Sequence, residues 1–447
     1  MTTDQNRIVA LVVRYGLPAL VLVFYLTAVR HFDYTPDSTY ATAQVAQNVE
    51  HWNMFAGPVD LAENVSPSPL WIFLQVAGIR ASFDVILFAK VFGIFFCCTI
   101  LVFGYLTAFE LTDDRLLAFC ATFVIATCAW LLYVAPTGNA LPIAAALTLG
   151  CIFFLLRNEY VLSTLFAGLA SLVLWEGAVL FVLLLLDLML NSVIRQRACR
   201  IAGIALGMYV VVVVPWLLYA RHHGDPVIPA LVPVGGIPVA GPLAVISTVL
   251  LAALGVAGVA LMFRHTDGTI YIRTHATPIV WTALMLTGGI LGSWERIVLG
   301  APLLAIGAFV GIQRGLRAVG RGRAIYLAAF GLAAAMLLMN QVTYLGRLRP
   351  AIQPSMESSR DLDAIASWLK INSGDSLRVA AEHPGELGYR SGRVVERLRP
   401  GSDPPPDIVI TSAGAVPGYV RQYVVSPDSA LLPPISGIRF SIWKKQR

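Results

Sequence analysis

The sequence predicts an α-helical protein that crosses a membrane about eleven times and ends in a small α/β domain. Three observations predict it. The hydrophobic fraction is 57% and the charged fraction 13%, about half the roughly 25% of soluble domains. The mean hydropathy is +0.72, more apolar surface than a soluble core can hide. Apolar runs of bilayer length recur up to residue 344, and beyond about Gly346 the chain turns polar and proline-rich.

The first apolar run covers about 9–29. It is long for a signal peptide and lacks a small-residue cleavage site, so it reads as a retained first span. A polar loop follows over residues 30–83. It contains "TPDSTYATAQVAQNV" (Thr35 to Val49), helix-prone and opened by the acid Asp37. Within the same loop, "PLWIFLQVAGI" (Pro69 to Ile79) is too short to cross and reads as an interfacial or re-entrant helix. Further runs fall at 84–107, 115–134, 138–156, 160–175, 177–191, 201–220, 243–263, 276–293, 297–314 and 324–344. Those at 160–175 and 177–191 are short and parted only by "WEG". The membrane domain is thus expected over 1–345 and the α/β domain over 346–447. There "SRDLDAIASWLKI" has a helical pattern, and "LRVAAE" and "DIVITS" read as strands. Neither a solenoid repeat nor a pair of inverted halves is evident.

Arginine placement orients these spans. With the N-terminus cytoplasmic, "RQRACR", "RHTDGTIYIR" and "RGLRAVGRGR" fall inside, as the positive-inside rule asks. The inside loop "FELTDDR" is acidic on balance, but acids count little in that rule. An odd span number places the C-terminal domain outside. The expected location is a bacterial cytoplasmic membrane.

Other classes are disfavoured. The six cysteines lie in or beside apolar runs, so neither a disulfide framework nor a cysteine-based zinc site is expected. No basic patch interleaves with aromatics, which excludes nucleic acid as a partner. No G-x-x-x-x-G-K-[ST] loop is present for nucleotide binding.

The polar residues instead collect on the outer face: His31, Asp33, Asp37, Glu50 and His51, then Glu176, then Arg221, His222, His223 and Asp225, then Glu295 and Arg296. Lys90 sits about two turns into the second span. Ionisable groups in a membrane are costly and are usually functional or paired. Each has a plainer reading. Asp37 could cap a loop helix. Glu176 could be an ordinary loop acid. Lys90 reads first as snorkelling to the headgroups. Arg296 could pair with Glu295 or another loop acid. His222 and His223 lack the third ligand a zinc site needs.

The pattern resembles the GT-C superfamily of polytopic glycosyltransferases that use lipid-linked sugars, closest to bacterial members. Their first loop reads roughly "DDAYI-RYA-NLA" and then "GYTSPLW". Asp37, Ser38, Tyr40, Ala46 and Asn48 align with the former, and Ser68, Pro69, Leu70 and Trp71 match "SPLW". Leu174, Trp175, Glu176 and Gly177 resemble "RPEG". Gly224 to Pro229 resembles "YGDPLPNT", and Arg296 to Pro302 resembles "RY-LP-LP". "HPGELGYRSGRVVERL" is similar to "IG-LGYYSGR-VID" in the outer domain of such enzymes. Two positions depart from the pattern: the second acid is Ser38, and the arginine of "RPEG" is Leu174.

The resemblance implies an inverting glycosyltransferase. It would move a sugar from a polyprenyl-phosphate donor to a glycan, lipid or protein acceptor at the outer surface. Asp37 would be the general base that takes the acceptor proton. Arg296, Arg221, His222 and Lys90 are candidates to hold the leaving lipid phosphate. Tyr40, Trp71, Glu176 and Asp225 are candidates for substrate binding. No cofactor is required, and a divalent metal is compatible with the pattern. The lost acid at Ser38 keeps open an inactive envelope-assembly relative. A lipid or solute transporter would need more polar groups at mid-membrane than the chain offers. In the C-terminal domain, Glu382, His383, Glu386, Arg390 and Arg393 read first as solvated surface.

Overall fold

The computed structural model describes residues 3–29, 35–52, 65–190, 198–223, 228–230, 251, 253–254, 277–287, 295–318, 324–343, 365–371, 379–381, 384–391, 395–397, 407–411, 419–422 and 441–445. Helix α1 (Thr3–Val29) contains Pro18. Helix α2 (Asp37–Trp52) is the polar loop segment. It is not a floating loop: Ser38, Thr39, Tyr40, Thr42, Ala43, Val45 and Ala46 are all buried. Its small side chains allow packing on several sides at once. It lies against α3 (Pro69–Arg80) and α4 (Val85–Thr112).

Proline at the first position suits the start of α3. At 12 residues α3 is about 18 Å long, short of a bilayer core. It buries Pro69, Trp71, Ile72, Gln75 and Val76 on one face. The acids of "FELTDDR" have structural work. Asp113 ends α4 in the left-handed region (φ 50°). Asp114 caps α5 (Arg115–Ala126), accepting from the backbone N of Leu116 at 2.9 Å and Leu117 at 3.2 Å.

The core is helical. Helix α4 packs on α5 and on α7 (Leu141–Leu156), and α7 packs on α8 (Tyr160–Ser171). Helix α8 contacts α9 (Glu176–Leu190) and α10 (Ala198–His223). Between α5 and α7 lie the short α6 (Ala129–Val134) and a 3₁₀ turn (Ala135–Thr137). Helix α11 (Thr277–Thr287) follows. Helices α12 (Glu295–Ala318) and α13 (Ala324–Thr343) close the bundle, α12 against α4, α5 and α7. Large apolar side chains such as Val91, Phe95, Val211, Leu218, Leu327 and Phe330 point outward. That surface suits lipid, and the chain is a membrane protein.

The expectation of about eleven spans is only partly met. Among the described residues, four helices are long and apolar enough to cross: Val85–Thr112, Ala198–His223, Leu299–Arg317 and Ala324–Thr343. A fifth arises if Arg115–Ala126 and Trp130–Thr137, bent by 55°, form one span. The runs at 138–156, 160–175 and 177–191 are helices of 16, 12 and 15 residues, and the turn at 172–175 shortens the second. Most of the run at 243–263 lies outside the described residues.

Near the C-terminus, five strands form a sheet in the order β4-β3-β5-β7-β6. They are β3 (Val379–Ala381), β4 (Val395–Arg397), β5 (Ile408–Thr411), β6 (Tyr419–Gln422) and β7 (Ser441–Lys445). Strand β3 is parallel to β4 and β5, while β7 is antiparallel to β5 and β6. Helix α14 (365–371) and helix α15 (Pro384–Ser391) cover it, with Ile365, Leu369, Leu387, Val395 and Ile410 in the shared core. Helix α15 is the crossover between β3 and β4. The expected helix and strands in this segment are therefore present.

Candidate functional site

The site is assembled at the N-terminal turn of α2. The hydroxyl of Thr39 donates to the carbonyl of Thr137, in the turn before α7. Gly138 continues that turn at φ 73°, a conformation that favours glycine. A Cβ there would lie 3.1 Å from Thr39 Cγ2 and 3.2 Å from the backbone N of Lys90. The close approach brings Lys90 on α4 to the start of α2, the turn that Asp37 opens. Lys90 is only 5% exposed. The snorkelling reading is thus corrected: the side chain is enclosed by protein. The described side chains do not include that of Asp37, and Asp225, His31 and Asp33 lie outside the described residues, as does the Glu295 side chain.

Next to α2, segments far apart in sequence interlock. The Ser68 hydroxyl donates to the carbonyl of Val173 at 2.8 Å. The backbone N of Leu70 donates to Leu172 O at 3.1 Å, and that of Trp175 to Pro229 O at 3.0 Å. Strands β1 (Val65–Pro67) and β2 (Ile228–Ala230) pair in parallel beside them. Three of the sequence motifs, "SPLW", "LWEG" and "GDPVIP", therefore meet at one place. Gly177 is obligatory there, because a Cβ would collide with the backbone of Ala170 and Ser171.

The candidate residues divide by their surroundings. Glu176 opens α9, and Arg296, in the first turn of α12, donates to its carboxylate at 2.8 Å. The partner expected for Arg296 is thus Glu176, 120 positions away. Trp71 has no exposed surface. With the Gln75 amide oriented so that both its ends are satisfied, the indole N–H donates to the Gln75 side-chain oxygen at 2.8 Å and the Gln75 amide nitrogen donates to Thr42 O at 3.2 Å. In this arrangement Trp71 links α3 to α2. Arg221, His222 and His223 are exposed at the end of α10. His223 stacks on Tyr219 with ring centroids 4.2 Å apart. Glu50 pairs with Arg80 at 2.8 Å, at the far end of α2. Among the described residues no group of three His, Cys, Asp or Glu could hold a metal ion.

One contact was not legible in sequence. Helix α15 packs along α2. Arg390 donates to the Tyr40 hydroxyl at 2.8 Å and pairs with Glu386 at 2.7 Å. Its guanidinium lies 5.2 Å from the Tyr40 ring centroid, within cation–π range. Tyr389 packs beside Tyr40, 5.5 Å between centroids. Glu386 and Arg390 are hence not solvated surface, which corrects that reading. Glu382, His383 and Arg393 lie outside the described residues. Burial, and then the charges of Asp84 and Tyr40, push the Tyr389 phenol up to about 12. Burial and the Glu386 charge also raise Tyr40.

No protein-family model and no curated protein matches the chain. Solved structures do. ArnT from Cupriavidus metallidurans, bound to undecaprenyl phosphate, matches 96% of this chain and 97% of its own at 12% identity, with a TM-score of 0.58. The oligosaccharyltransferase of Archaeoglobus fulgidus, tethered to an acceptor peptide, matches 86% of this chain at 11% identity and a TM-score of 0.56. The arabinofuranosyltransferase AftD from Mycobacteria matches 97% of it at 12% identity and a TM-score of 0.56.

The chain has the GT-C fold. It spans 64% of the Archaeoglobus enzyme and 40% of AftD. At these identities the likeness concerns the fold, and the chemistry must be argued from this chain's own residues.

Proposed function

We propose that this protein is a membrane glycosyltransferase. It moves a sugar from a polyprenyl-phosphate donor to an envelope glycan, lipid or protein at the outer face. The single observation that carries this reading is the convergence at the start of α2. The turn opened by Asp37, the buried cation Lys90 and the knot holding Glu176 and Arg296 belong to one end of the bundle. With the arginine-rich loops cytoplasmic, that end faces outward. The ArnT structure holds a lipid phosphate on the same fold, and such a carrier keeps its tail in lipid and its head at this level.

The chemistry follows from charge. Asp37 takes the acceptor proton as the hydroxyl attacks the anomeric carbon. The sugar–phosphate bond breaks, and negative charge grows on the leaving phosphate. Arg296, with Lys90 and then Arg221 and His222, supplies the cations that charge requires. Glu176 fixes the Arg296 guanidinium. A single displacement inverts the anomeric centre. Tyr40 serves through its place in α2, with its hydroxyl taken by Arg390. Asp225 remains a candidate for sugar hydroxyls.

Deleting the gene and comparing envelope glycans by mass spectrometry tests the reading. The expected result is one glycan short of one sugar, with the lipid-linked donor accumulating. An unchanged glycan profile would reject it.

A further inference from the structure

We infer that Arg390 is a positioning residue: through Tyr40 it holds the first turn of α2, and so the C-terminal α15 belongs to the working site. The inference rests on the transferase reading above. Tyr40 follows Asp37 by three residues, less than one turn. Whatever fixes Tyr40 fixes the backbone that carries the base.

The contact is built to hold. Arg390 meets three features of its surroundings at once: the Glu386 carboxylate at 2.7 Å, the Tyr40 hydroxyl at 2.8 Å and the Tyr40 ring at 5.2 Å. The side chains of Arg390 and Glu386 are 21% and 8% exposed, so little water competes. Tyr389 joins the apolar cluster of Ala43, Val49, Val76, Val85 and Trp216. That cluster draws its residues from α2, α3, α4 and α10. Thr39, the residue preceding Tyr40, is tied to the turn before α7. The first turn of α2 is gripped between the membrane bundle and α15. By contrast, Glu50–Arg80 at the other end of α2 is exposed, with Arg80 69% accessible.

A guanidinium offers a rigid fork of donors, and an ammonium does not. Both bonds leave one nitrogen, Nη2, so lysine at 390 keeps the charge and replaces part of the contact, but not the planar group beside the Tyr40 ring. Misplacing a base by about 1 Å costs roughly 10²-fold in rate.

The test uses full-length protein in membranes of the deletion strain, with the lipid-linked donor fraction extracted from that strain as the varied substrate. Product is read by mass spectrometry at matched protein level. Tyr40→Phe removes one hydroxyl and keeps the ring. It is expected to lower the saturated rate about 10-fold with an unchanged half-saturating donor level. Arg390→Ala is expected to lower it about 10–100-fold, Arg390→Lys less. The double variant should be no worse than Arg390→Ala, because one contact is lost only once. Arg80→Ala, which loosens the exposed end of α2, should leave the rate unchanged. Should Arg390→Ala fail to accumulate, Tyr40→Phe decides alone. Full rates in Tyr40→Phe and Arg390→Ala would overturn the inference while Asp37→Asn stays dead. So would a raised half-saturating level at an unchanged saturated rate, since Arg390 would then bind donor itself. If Asp37→Asn keeps full rate, the transferase reading fails first, and separately.

Discussion

Replacing Glu176 by glutamine isolates the pair that sets Arg296. The two side chains meet at 2.8 Å, Glu176 10% and Arg296 31% exposed. An exposed pair is worth about 0–1 kcal/mol. Breaking a fully buried pair costs about 3–5 kcal/mol. This one lies between, which gives roughly 1.5–3 kcal/mol. Glu176 also stands in the first turn of α9, where an acid adds about 0.3–1 kcal/mol against the helix dipole. Glu176→Gln should therefore cost about 2–4 kcal/mol in all. Arg296→Gln alone mixes this loss with other contacts, so the pair is measured by a double-mutant cycle. The assay is reversible unfolding in mixed detergent micelles. A coupling of about 1–3 kcal/mol is expected. A value below about 0.3 kcal/mol would refute the reasoning: the pair would be a solvated coincidence, and Glu176 would not hold Arg296.

Three further outcomes are expected. Gly138→Ala forces a β-carbon into the left-handed region against Thr39 and Lys90, and should lower stability by about 1–2 kcal/mol in the same unfolding assay. Ser68→Ala leaves the buried Val173 carbonyl without its 2.8 Å donor and should cost about 1–3 kcal/mol. The docking of α15 should weaken in strong alkali. Tyr389 stays protonated in the folded state up to about 12, whereas an unfolded tyrosine loses its proton near 10. Its contribution is full below pH ~10 and is lost as pH rises to about 12. A titration of tyrosinate absorbance should show late-ionising tyrosines, and Tyr389→Phe should lower that late amplitude by one group.

How much of this the sequence discloses depends on the range of the contacts. Helix α2, the short α3 and the long α4 were legible, because composition and apolar run length are local signals. So were the helix at 365–371 and the strands β3 and β5. The end of α8 at Ser171 was not. Its apolar run continues into the turn at 172–175, where backbone geometry stops the helix without a polar break. Strands β1 and β2 carry three residues each, too few for a period-two signal, and each contains proline. The motifs of the knot were visible singly, but their meeting through Ser68, Val173, Trp175 and Pro229 is a long-range fact. Glu386 and Arg390 are an (i,i+4) pair, which in sequence looks like an ordinary solvated helix face. Only the docking of α15 on α2 gives them another meaning.

The central claim concerns Asp37, and one paired measurement tests it most directly. Envelope glycans of the deletion strain are compared by mass spectrometry after rescue with wild type or with Asp37→Asn at equal protein level. The account predicts that Asp37→Asn restores almost nothing, because removing a positioned base slows transfer by roughly 10²–10⁴-fold. The missing mass then identifies the sugar. Full restoration by Asp37→Asn would contradict the account, leaving Asp37 as only the first residue of a buried helix.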